Sequence, residues 1–345
     1  MKSWSVAVLC AILGILVLFG GLVAIIDPFF LWHKPILENG YALEASRELY
    51  YSPGILRHFD YEAAIIGTSM TENSDPADVE RLFGWETVKA PMSGGQPADF
   101  AAYLKLLRRG TKAVFWGLDM NSWVTTPPGR YRDGKRPEYL YNANPFDDIE
   151  YALGVGAIER ALGTVKRAIK GEPSAAMSEY AYWAGGYEFS KAGTLGNYER
   201  PPLAESAAPP GAYLPNATEQ FEVNIKPALE ANPGTDFYLF APPTSMLYWD
   251  LFLREGKADA LLNAYFELIR LCLEYENARF FWFDYHALIT DLDNYKDQSH
   301  YGPEWNTWMF ERMSEGGYEL TRDNIVAAKE RFAGFIKSFD YEAYF

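Results

Sequence analysis

The sequence predicts an α/β protein: a parallel sheet covered by helices on both faces, held to a membrane by one N-terminal helix. Three observations lead there. Five short apolar runs alternate with stretches of helical period over most of the chain. No charged residue occurs from Ser5 to Ile26. Hydrophobic residues make up 49% of the 345 positions and charged residues 22%, a globular balance that argues against disorder.

The N-terminal stretch is rich in Leu, Ile, Val, Ala and Gly, and about 20 such residues span a bilayer as a helix. Lys2 precedes it and Asp27 follows, which favours the N-terminus inside and the bulk of the chain outside. A cleaved signal peptide is the alternative. The stretch is long for one, and no clear small-x-small cleavage site precedes Asp27. The expectation is therefore an uncleaved anchor over residues 1–30 and an extracytoplasmic domain over 31–345. The two cysteines, Cys10 and Cys272, lie in the apolar segment and in a helical pattern, so the fold does not depend on a disulfide.

Residues 27–60 read as a juxtamembrane connector with some helix around Leu43–Glu48. Glu62–Gly67 is the first apolar run, ending in glycine as a buried parallel strand does. A helix is expected over 76–83, with Asp75 as N-cap and Pro76 at its first position. Thr87–Ala90 is a second strand, followed by the Ser93-Gly94-Gly95 turn. Helical period resumes over 97–109. Further strands are expected at Ala113–Asp119, Asp236–Ala241 and Arg279–Asp284, with helices over about 256–276, 303–313 and 322–338. Residues 124–220 break the rhythm with Pro/Gly turns, an amphipathic stretch at 146–169 and a Pro/Ala/Gly-rich segment at 201–215. They read as an insertion at the mouth of the sheet, shaping specificity or decorating the surface.

Formal net charge is −15 and no Lys/Arg-rich run occurs, which excludes a nucleic-acid partner. Aromatic residues reach 16%; they suit core packing first and a sugar-binding groove second.

Two motifs carry chemistry. Gly67-Thr68-Ser69-Met70-Thr71-Glu72-Asn73 presents a serine just beyond a strand, at the carboxyl edge where α/β sheets bind ligands. A strand–helix turn with capping duty alone fits the same pattern. Asp297-Gln298-Ser299-His300 sets a carboxylate three residues before an imidazole, on one face of a turn. Asp297 can then hold the ring tautomer while the other nitrogen faces Ser69. His286, close to Asp284 after the fifth strand, is a rival base, and Asp293 a rival acid. Gly94 and Asn121 follow the second and third strands and suit an oxyanion hole together with the Ser69 N–H.

The order Ser69, then Gly94 or Gly95, then Asn121, then Asp297-x-x-His300 resembles the SGNH/GDSL hydrolase superfamily over roughly residues 60–310. Gly67-Thr68-Ser69 stands where that family usually has Gly-Asp-Ser. Within it the chain is similar to the membrane-anchored extracytoplasmic branch of teichoic-acid D-alanine transfer and alginate acetylation proteins. Shared features are the lone N-terminal anchor, the Gly-Thr-Ser turn, and the aromatic-rich Tyr301-Gly302-Pro303-Glu304-Trp305 after the histidine.

The resemblance implies a three-layer, flavodoxin-like sheet and a Ser69–His300–Asp297 triad with no cofactor or metal. It implies esterase or O-acetyltransferase chemistry on short acyl groups of envelope or exported polysaccharide. An acylated glycan or other ester is then the substrate, and a membrane-bound acyl-donor protein the partner. A non-catalytic assembly or binding protein that keeps the fold is the competing expectation, and an aromatic sugar-binding module a third.

Overall fold

The computed structural model describes residues 2–345. It is a mixed α/β structure built on one six-stranded sheet in the order β2-β1-β3-β4-β5-β6. The strands are β1 (Ala63–Gly67), β2 (Thr87–Pro91), β3 (Ala113–Gly117), β4 (Asp236–Ala241), β5 (Ala278–Trp282) and β6 (Glu319–Leu320). The first five pair in parallel, and β6 closes the edge antiparallel to β5 through Phe280↔Leu320 and Phe281↔Glu319.

The five parallel strands fall on the five apolar runs for a plain reason. Helices cover both faces, so Ile65, Ile66, Phe115, Trp116, Leu239 and Phe281 are all buried, and no face is left to carry a polar alternation. β6 was not expected: two residues are too few to show a period. Lys89 breaks the apolar pattern of β2, yet it too is fully buried.

In chain order the helices begin with α1 (Lys2–Ile26), α2 (Glu48–His58), α3 (Ser69–Glu72), α4 (Pro76–Phe83), α5 (Pro97–Leu104) and α6 (Met120–Thr125). They continue with α7 (Ile149–Ala152), α8 (Val155–Ile169), α9 (Lys191–Gly196), α10 (Leu214–Gln220) and α11 (Lys226–Ala231). The last are α12 (Met246–Arg254), α13 (Ala258–Cys272), α14 (His286–Ile289), α15 (Glu304–Ser314) and α16 (Ile325–Ser338).

α4 starts as expected: Pro76 follows Asp75, whose carboxylate accepts the Ala77 N–H at 3.0 Å, and Gly84 ends the helix in the left-handed region. The connector's helix begins only at Glu48, so Leu43–Arg47 lies outside it. The helix expected over 97–109 stops at Leu104.

Segment Ser3–Ile26 of α1 is long and apolar enough to cross a membrane. Its last turns are not free. Val23 and Ile26 are buried against the domain, and Asp27 turns the chain at φ 47°. The Asp27 carboxylate accepts the N–H groups of Leu31, Trp32 and His33 at 2.9, 2.7 and 2.8 Å, and the Tyr151 hydroxyl at 2.7 Å.

Residues 124–220 do several jobs rather than one. α8 packs on the end of α1, while α10 packs along α13 in the helical layer. Residues 178–187 reach the first strand's carboxyl edge, where Trp183 meets Ser69.

Candidate functional site

β1 delivers its carboxyl end to a tight turn. Thr68 caps α3, with its hydroxyl accepting the Met70 N–H at 3.4 Å, and Ser69 is the first helical residue. From the far end of the chain, residues 295–301 form a small loop closed by the Tyr295↔Tyr301 bridge and by Lys296 N–H donating to the His300 carbonyl at 3.0 Å. Three further bonds fix this loop to the sheet edge. Ser245 donates its N–H and its hydroxyl to the Gln298 carbonyl at 3.1 and 2.8 Å, and Tyr301 donates to the Met70 carbonyl at 3.0 Å.

The result is a chain of three side chains. Ser69 Oγ lies 2.8 Å from His300 Nε2, across 231 positions of sequence. His300 Nδ1 lies 2.8 and 2.9 Å from the two Asp297 oxygens. One of those oxygens also accepts the Ser299 and His300 backbone N–H groups at 2.9 Å each. Burial alone would raise the Asp297 pKa; the His300 hydrogen bond and charge, with the two backbone donors, overcome it and hold the pKa down to about 2. Asp297 is therefore ionised at neutral pH and demands a proton on Nδ1, which leaves Nε2 as the acceptor for the serine proton.

The rival assignments lie elsewhere. His286 stacks on Phe335 with centroids 3.8 Å apart, and Asp293 accepts the Lys191 N–H at 2.6 Å.

Of the proposed oxyanion donors, Gly94 sits on the turn after β2, beside the serine turn, where Met92 N–H donates to the Gly67 carbonyl at 2.9 Å. Both glycines of that turn are required. Gly94 holds φ 64°, and a Cβ on Gly95 would stand 2.5 Å from the Phe100 ring. Asn121 is not drawn toward Ser69 by any hydrogen bond among the described residues. It lies exposed on α6, its side chain 3.5 Å from Thr125 Oγ1 one turn on. The residue that β3 sends to the site is Asp119, whose Oδ2 accepts the Thr68 hydroxyl at 2.6 Å. It was missed because only the asparagine two places later was weighed; the signal was its place two residues beyond strand-terminal Gly117.

Asp119 also lines a small apolar cavity of about 40 Å³ with Met120, Pro243, Trp249, Trp282 and Phe332. The residue is half-buried, and burial of its carboxyl pushes the pKa up to about 6, against the Thr68 bond and the His300 charge, which pull it down.

Trp183 is the second residue the sequence did not reveal. Its indole N–H donates to the Ser69 carbonyl at 3.0 Å, and its ring stands perpendicular to the His300 imidazole at 5.4 Å. Lys296 lies over the rings of Trp183 and Tyr187 at 4.2 and 3.9 Å. No group of metal-ligating side chains occurs among the described residues.

No family model and no curated protein matches this chain. Among solved structures, it is similar to one described as "a putative platelet activating factor from Streptococcus pneumonia", with 14% identity and a TM-score of 0.36 over 79% of this chain and 90% of that one.

Proposed function

We propose that the chain is a membrane-anchored serine esterase or O-acyltransferase of SGNH type, acting on acylated glycan of the cell envelope or an exported polysaccharide. The observation that carries the reading is the contact of Ser69 Oγ with His300 Nε2 at 2.8 Å, backed by Asp297 on Nδ1 at 2.8 Å.

His300 Nε2 takes the Ser69 proton as Oγ attacks the ester carbonyl, and Asp297 stabilises the imidazolium that forms. The Ser69 and Gly94 N–H groups receive the oxyanion. Collapse of the intermediate breaks the ester C–O bond, and His300 returns the proton to the departing alcohol. A water or a sugar hydroxyl then gives its proton to His300 and attacks the acyl-serine, and His300 returns that proton to Ser69 Oγ as the acyl–serine C–O bond breaks. No step uses a metal or a diffusible cofactor.

The test is made on the full-length protein in detergent. Wild type is expected to be labelled by a fluorophosphonate and to hydrolyse p-nitrophenyl acetate, with label lost and turnover down by about 10³-fold or more in Ser69→Ala and His300→Ala. A folded wild-type protein that neither labels nor turns over sinks the enzymatic reading and favours a binding role for the cleft.

A further inference from the structure

The end of α1 is gripped by the domain deeper than a membrane-spanning helix can emerge from its bilayer. A Cβ placed on Gly20 would lie 3.3 Å from the Leu153 side chain and 3.9 Å from the Ala152 carbonyl, so the α7–α8 turn touches α1 six residues before Ile26. At 1.5 Å per residue that point is about 9 Å below the helix end. The apolar segment Ser3–Ile26 has 24 residues, a length of about 36 Å against a hydrocarbon core of about 30 Å. Only about 6 Å of it can stand clear of the core, and tilt reduces that further. Leu153 therefore meets α1 within the outer edge of the hydrocarbon.

The surface around that contact is built for such a place. Ile149 on α7 and Val155 on α8, the two helices that hold α1, are 63% and 70% exposed, and Phe146 in the turn before α7 is 87% exposed. Leu162 and Ile169 continue from Val155 at seven-residue spacing along one exposed face of α8. The opposite face, Ala157, Ala161 and Thr164, is buried in the domain. In a chain of net charge −15, residues 155–170 carry four basic side chains and one acidic; Arg160 pairs with Glu44, and Lys166 and Lys170 lie outermost, Lys170 at 3.4 Å from Glu172. Next to Phe146 and Ile149, a cavity of about 500 Å³ is lined in part by Trp32, Arg57, His58, Tyr139, Pro145 and Asp148, the aromatic and polar composition of the headgroup layer.

We propose that Phe146, Ile149, Val155 and the outer stripe of α8 form a membrane-seating surface. They lie in the acyl boundary of the outer leaflet with Lys166 and Lys170 among its anionic headgroups, so that the domain rests on the bilayer in one orientation rather than swinging on a tether. The surface rests on the reading of α1 as a membrane span. Its occupant is the lipid leaflet because the face is continuous with the gripped part of that span.

The experiment uses the full-length Cys10→Ala protein in vesicles of phosphatidylethanolamine and phosphatidylglycerol; Cys272 is buried and takes no label. An environment-sensitive fluorophore is placed singly on Phe146→Cys, Val155→Cys and Ile169→Cys, and on the exposed controls Leu203→Cys and Val326→Cys. The first three are expected to shift to the blue and to be quenched about twofold or more by brominated acyl chains, the controls to be unchanged. Release of the protein by alkaline carbonate would sink the anchor and the proposal with it. Retention with positions 146 and 155 unquenched overturns the seating surface alone. A blue shift without quenching by brominated lipid assigns the face to a protein contact and also overturns it.

Discussion

The indole N–H of Trp183 donates to the backbone carbonyl of Ser69 at 3.0 Å, while the same ring stands edge-on to the His300 imidazole. One side chain from the middle of the chain thus touches both Ser69 and His300. Trp183→Phe keeps an aromatic ring against His300 but removes the donor. A hydrogen bond of this kind contributes about 1 kcal/mol, so kcat is expected to fall about five- to tenfold with KM little changed. Trp183→Ala also removes the ring that Lys296 covers and is expected to fall further. Steady-state kinetics on a p-nitrophenyl ester decide it: full kcat in the Phe variant would show that the bond does not position Ser69.

Asp119 makes stability depend on pH in a defined direction. Its folded pKa, about 6, lies above the ordinary 3.8 because burial outweighs the Thr68 bond and the His300 charge. A raised carboxyl pKa favours folding fully below the ordinary value, and that contribution is lost as pH rises through the folded one. Between about pH 4 and 6 ionisation is therefore expected to cost up to about 3 kcal/mol, and Asp119→Asn to abolish that slope. Calorimetric Tm measured against pH for the two proteins should diverge over this window; parallel curves would contradict the assignment.

Lys89 holds three backbone carbonyls together in the interior. Its fully buried ammonium donates to Glu72, Ser74 and Ser178 at 2.6, 3.2 and 3.0 Å. Burial lowers its pKa to about 8, against the attraction of Asp75 and Glu72. Lys89→Met fills a similar volume but leaves all three acceptors unpaired, at a cost of about 3 kcal/mol or more. Because Ser178 precedes Trp183 by five residues, the variant is also expected to expose the 178–187 segment to limited proteolysis. Denaturant midpoints equal to wild type would refute this.

Gly67 has no room for a side chain. At φ +154°, a Cβ would sit 2.7 Å from Thr71 Cγ2 and 3.0 Å from Thr71 Oγ1, on the short helix that begins with Ser69. Gly67→Ala is expected to destabilise by about 2 kcal/mol and to displace α3, lowering turnover. Thr71→Ser removes the closer of the two atoms. The double variant should therefore recover part of the loss, a coupling that a double-mutant cycle measures. Strict additivity would place the strain elsewhere.

What the sequence determined by itself was local. The apolar N-terminal helix, the five parallel strands and the Asp75–Pro76 start of α4 follow from residue period and capping chemistry, which a short window contains. The motifs around Ser69 and His300 were legible as motifs for the same reason. What joined them was tertiary: the 2.8 Å contact spans 231 positions and exists because Ser245, Tyr295 and Tyr301 fasten one loop to the sheet edge. Asp119 reaching Thr68, Trp183 reaching Ser69, and α8 gripping α1 were likewise decided by packing. Each depends on where a loop or helix lies against a distant neighbour, and no local period encodes that. β6 was invisible because two residues derive their strand conformation from pairing with β5 alone.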